Sequence, residues 1–200
     1  MIATFHRHAA WAGLGLALLL ASPPLRSLLE ARMASHMLLQ FPLLMLAGAC
    51  LAHAAPPALQ RRLAAWNAHG IAGLTLAAGV LALSMVPRLL DLALTHRPTE
   101  VAKFTLLMLS GAALHLSWRA AGTVLQGFFL GNTLPMMGMA GWLYGDAPVR
   151  ICNAYGFDDQ QTVGLALSWT AAAIAAVWLL IATRGLIRAE SAQQTGEQAP

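Results

Sequence analysis

Ser35-His36-Met37-Leu38-Leu39-Gln40-Phe41-Pro42-Leu43-Leu44-Met45-Leu46-Ala47-Gly48 decides how this chain is read. It begins a long apolar run and places an imidazole at its mouth. Gln40 follows four residues on, on the same helical face and one turn deeper. Met37 adds a thioether beside the imidazole. Pro42 removes a backbone hydrogen bond and bends the axis. A polar group at membrane depth needs a partner or a function.

The rest of the chain agrees with a membrane setting. Of 200 residues, 58% are hydrophobic and 10% are charged, whereas a soluble domain carries about 25% charged residues. A helix crosses the hydrocarbon core with about 20 apolar residues. The expected fold is all-α, a polytopic integral membrane helical bundle of about six transmembrane helices over residues 1–189. The spans are expected near 5–22, 35–55, 67–87, 101–118, 122–144 and 162–187. Residues 190–200 read as a disordered polar tail. The basic start and short apolar core of the first segment could be a signal peptide, but a retained first span is preferred. Net charge is +4, yet the charges are scattered between apolar runs, which argues against nucleic acid as a partner. Cys50 and Cys152 form no CxxC motif and no disulfide framework.

Six spans place both termini on one side. Arginine and lysine are balanced across the two sides, so the positive-inside rule does not choose between them. The Arg61-Arg62 pair and the C-terminal Arg184 and Arg188 lie tight against span ends, and on that ground both termini are assigned to the cytoplasm. Antiparallel order then gives each side chain a depth. His36, Met85, Met136, Met137, Met139 and the Asp158-Asp159-Gln160-Gln161 run fall at the outer end, with Met33 and Cys152 in outer connectors. His53, His69 and His115 fall near the inner face. Thioether and imidazole ligands suit Cu(I), and a carboxylate can hold an imidazole tautomer from behind. Methionine is equally a common filler of apolar interiors.

The order of short signals resembles the CtaG-type cytochrome c oxidase assembly factors. The matching stretches are Ser22-Pro23-Pro24-Leu25, His36-Met37-Leu38-Leu39-Gln40 into Pro42-Leu43-Leu44, and Val86-Pro87-Arg88-Leu89-Leu90-Asp91. Gly111 with Trp118 follows, then Asp158-Asp159-Gln160-Gln161-Thr162-Val163-Gly164-Leu165 with Trp169. The chain departs from that family at three places. Gln40 stands where a second histidine is usual, Ser84-Met85 stands for Trp-His, and a histidine is missing around Lys103-Phe104. The resemblance implies a helper for copper-site formation in a haem-copper oxidase rather than an enzyme. Its implied partners are an oxidase subunit or a copper donor protein, with membrane lipid around it, in a bacterial plasma (inner) membrane. The expected copper ligands are His36, Met85, Met37 and Met139, with Gln40 and Asp159 behind them.

Two other readings stay open. His53, His69 and His115 share a depth and could serve a b-haem or quinone-associated subunit. Pro42 and Pro135, with Asn132 nearby, would suit a small transporter with broken helices. No nucleophile–base pair or phosphate loop speaks for an enzyme.

Overall fold

The computed structural model describes the backbone of residues 2–197 and the side-chain surroundings of residues 7–188. Among the described residues the chain is helical throughout, with no strand. The helices are α1 (Ile2–Ala21), α2 (Pro23–Glu30), α3 (Met33–Ala54), α4 (Pro57–Trp66), α5 (Ile71–Ser84), α6 (Pro87–Thr95), α7 (Arg97–Asp146) and α8 (Phe157–Glu197). Residues 198–200 of the tail lie outside the described residues, and the backbone of α8 is helical up to Glu197.

Three helices, α3, α7 and α8 as far as Arg188, are long and apolar enough to cross a membrane. The number is five if each bent pair makes one span: α1 with α2 at 70°, and α4 with α5 at 86°. These helices are compatible with a membrane protein. The short helices α2, α4 and α6 each carry proline in the first turn. Proline suits that position because its missing N–H would be unpaired there in any case. The expected 23–34 connector and the expected 56–66 loop are therefore largely helix.

α7 has 50 residues, about 75 Å at 1.5 Å per residue, more than twice a bilayer core of about 30 Å. It is not straight. Gly122 sits at φ 60, ψ 177, outside the helical region and readily reached only by glycine. Contacts on either side show which way each half runs. A Cβ on Gly48 would meet Met108, and one on Gly111 would meet Met45. Residues 97–121 therefore run antiparallel to α3. Gly127 backs onto Trp178, and Gly141 onto Gly164 and Ser168, so residues 123–146 run antiparallel to α8. The Tyr144 hydroxyl donates to the Met85 carbonyl just past the end of α5, while Gly70 before its start backs onto Ser117 and Ala121. Tyr144 thus returns to the end where α7 began, and α7 is a hairpin turned at Gly122. Gln126 Nε2 donating to the Trp118 carbonyl at 2.7 Å and the Trp118–Phe129 ring contact tie the halves beside the turn.

At the end where α7 begins lies one apolar cluster. It contains Leu20, Met33, Met37, Phe41, Leu44, Leu90, Leu107, Tyr144, Cys152, Tyr155 and Val163, with Met85, Met108 and Met137 packed against it. The smaller cluster of Leu74, Ala77, Ala121, Phe129 and Leu130 fills the other end, beside Gly122.

Candidate functional site

The site is built where α3 is not an ordinary helix. His36–Gln40 is a π-helical turn, a widening found mostly as single turns at functional sites. Pro42 supplies the local reason. It offers no N–H, and its ring crowds the carbonyl four residues back, that of Leu38. Widening the turn that contains Leu38 relieves this crowding. His36, Met37 and Gln40 all end up buried.

Two fully buried polar side chains inside an apolar cluster need partners. Lys103, from the first turns of α7, supplies them. Its ammonium lies 2.7 Å from Glu30 Oε1, 2.9 Å from His36 Nε2 and 3.1 Å from Gln40 Oε1. An ammonium has three protons and no lone pair, so it donates to each of the three and is saturated. His36 Nε2 is then the acceptor nitrogen. Nδ1 carries the ring proton and donates to the Tyr155 hydroxyl at 2.6 Å. Gln40 Nε2 closes the ring by donating to Glu30 Oε1 at 3.2 Å. The ion pair is nearly dry, with side-chain exposures of 7% for Lys103 and 11% for Glu30. Beside Lys103 lies a largely apolar cleft with Phe41, Val80, Leu90 and Ala93 in its wall. A more exposed second pair, Arg26 with Glu100, borders the cluster, and Arg26 also lies 3.9 Å from Glu30.

A frame of backbone contacts holds Tyr155 in place. Asp91 accepts the backbone N–H groups of Asn153 at 2.9 Å and Ala154 at 3.2 Å. Gln160 accepts those of Ile151 and Cys152 and donates to the Tyr144 carbonyl. Asp159 accepts the Met33 N–H at the start of α3, a favourable place for a carboxylate because unpaired N–H groups give a helix N-terminus positive character. Burial, reinforced by the nearby Asp91 charge and partly offset by a hydrogen bond with Tyr144, pushes the Cys152 thiol up to about 12. Burial, with the Glu30 charge next in importance, likewise raises the Tyr155 phenol above its ordinary value.

Comparison of the chain with models of protein families, with curated proteins and with solved structures gave no match.

The residues expected to hold copper are placed as follows. His36 and Met37 are buried in the cluster, and Met85 is half-buried against it. Met139 is 64% exposed on the outside of the bundle. Gln40 and Asp159 hold Lys103 and the α3 N-terminus respectively. The donor set does not fit a copper ion as it stands. Both imidazole nitrogens of His36 are engaged, and a positive charge already sits 2.9 Å from Nε2. Among the described residues, no group of three or more His, Cys, Asp or Glu side chains could hold a metal ion.

Sequence reasoning named His36 and Gln40 but overlooked Glu30, Lys103 and Tyr155 as their partners. The signal that could have found two of them was an opposite charge pair at the depth of His36. Of the histidines expected at the inner face, His53 and His115 meet edge to face, with ring centroids 5.4 Å apart. Direct ring contact leaves no room for a porphyrin between them. His69 is exposed.

Proposed function

We propose that this chain is a six-span helper in a bacterial inner membrane that supports copper-site formation in a haem-copper cytochrome c oxidase. Six spans follow if each half of the α7 hairpin crosses once, together with α3, α8 and the two bent pairs. One observation carries the functional reading. Most of the stretches on which the CtaG-type resemblance rests lie far apart in sequence yet converge on one end of the bundle; Gly111 with Trp118 runs toward the other end. His36 and Gln40 meet Lys103, which stands where that family's span-four histidine is expected. Asp91, Asp159 and Gln160 hold the loop and the helix start around them. Conversely, the exposed inner His69 and the directly touching His53 and His115 give a haem subunit little support.

The helper role needs no copper ion at His36. It needs a rigid outer end that an oxidase subunit or a copper donor can dock against. The test is a strain lacking the gene, in which copper per oxidase and oxidase activity are measured in purified membranes. Both are expected to fall and to return with the wild-type gene. Oxidase with its full copper content in the deletion strain refutes the reading.

A further inference from the structure

We propose that the Glu30–His36–Gln40 cluster is a cation cage whose cation is the chain's own Lys103 ammonium, so that the native site excludes transition-metal ions. This inference stands on the cluster's geometry alone, whether or not the chain serves an oxidase.

Three acceptors of different chemistry converge on one point: a carboxylate oxygen, an imidazole nitrogen and an amide oxygen. Carboxylate and imidazole are ordinary ligands of divalent zinc and its congeners. The imidazole is oriented from behind by a hydrogen bond at its other nitrogen, here to Tyr155, as ligating histidines usually are. The ammonium already stands at the focus where an external ion would bind. Glu30 and Lys103 neutralise each other, and a carboxylate this dry needs a cation beside it. Lys103 meets that need without an ion from outside. Its stem is anchored in α7, which packs along α3, so it is covalently tethered and no chelator removes it.

Removing the ammonium should turn the cage into a metal site. Lys103→Ala leaves a buried carboxylate, an imidazole and an amide oxygen facing a space that the lysine stem had filled. A divalent ion there restores the charge, with water completing its coordination. The ligands must draw in from ammonium hydrogen-bond distances to about 2.0–2.2 Å, which the long Glu30 and Gln40 side chains permit.

The experiment uses the full chain in detergent, with Co(II) as the probe because its visible absorption reports the coordination. Wild type is expected to retain no Co(II) after desalting, and Lys103→Ala about one per chain, with d–d bands and a raised melting temperature in the presence of metal. His36→Ala in the Lys103→Ala background should abolish the binding. Two results overturn the proposal: stoichiometric metal in wild type that is lost in His36→Ala, or a monodisperse Lys103→Ala protein that takes up no metal. If Lys103→Ala does not yield folded protein, Lys103→Ser, which keeps a small polar group, is measured the same way. If that also fails, the wild-type result decides: metal retained through His36 overturns the proposal, and none upholds it. Failure here leaves oxidase copper content in the deletion strain untouched, so the two readings fall separately.

Discussion

Replacing Glu30 by glutamine removes one charge and almost no volume. Glu30 Oε1 receives the Lys103 ammonium at 2.7 Å and the Gln40 amide at 3.2 Å. With glutamine there, every acceptor left to the ammonium is neutral, in a place where its side chain is 7% exposed. Breaking a buried ion pair from one side costs about 3–5 kcal/mol, because the remaining charge is stranded. The new amide oxygen still accepts a hydrogen bond, so the low end, about 3 kcal/mol, is expected. The Arg26–Glu100 pair is the control. Arg26 is 38% exposed there, and water screening holds Glu100→Gln to about 1 kcal/mol or less. Thermal unfolding of the purified protein in a Cys50→Ser background, followed by a thiol-reactive fluorophore as buried Cys152 becomes accessible, should put Glu30→Gln roughly 6–12 °C below its parent at about 2–4 °C per kcal/mol. Glu30→Gln with Lys103→Met removes both charges and should recover most of the loss, because a neutral pair of similar size strands nothing. If Glu30→Gln melts no lower than Glu100→Gln, and the double variant melts no higher than Glu30→Gln, the reasoning about a dry ion pair is refuted.

Three further outcomes are expected. Gly111→Ala drives a Cβ into the Met45 backbone carbonyl; forced overpacking costs about 1–3 kcal/mol or more, so its melting temperature should fall well below that of Gly15→Ala, where a Cβ meets nothing within 4 Å. Alkylation of Cys152 in the folded protein, measured in a Cys50→Ser background because Cys50 is only half-buried, should be slow at neutral pH and rise about tenfold per pH unit without levelling off below about 12, since the thiolate is the nucleophile and its fraction keeps rising until the pKa is reached; a rate that plateaus by about pH 9 would contradict this. Reporter fusions after Arg62 and at Gly122 should give the same signal and one after Cys152 the opposite signal; a Gly122 fusion that agrees with Cys152 would remove the α7 hairpin from the span count.

Apolar run length made the helical character of the chain legible. The short helices α2, α4 and α6 escaped that reading because 8 to 10 residues cannot form a span, and their arginines and prolines resemble loop punctuation. His36 and Gln40 were visible because both are polar groups inside an apolar run at one-turn spacing. Lys103 was not, since a lone lysine near the start of a span usually snorkels to the headgroups. Its inward course depends on Glu30, 73 residues away, a pairing that no local pattern contains. Tyr155 lies in a loop whose path is set by Asp91 and Gln160, and this long-range scaffolding carries no periodicity. Methionines were overread for the same reason: composition and depth do not tell which way Met139 faces.

The glycine seam between α3 and α7 works as a ratchet. The two notches, Gly48 against Met108 and Gly111 against Met45, engage reciprocally, so neither rod can slide along the other without lifting out of both. The next equivalent tooth is a full turn away, about 5.4 Å. The polar contacts of Lys103 tolerate only a few tenths of an ångström before they fail as hydrogen bonds. Longitudinal alignment of the cluster is thus set five to eight residues along each helix from Gln40 and Lys103, where two glycines meet two methionine backbones. Wear at that joint would misalign the Lys103 end of the bundle while leaving its side chains in place.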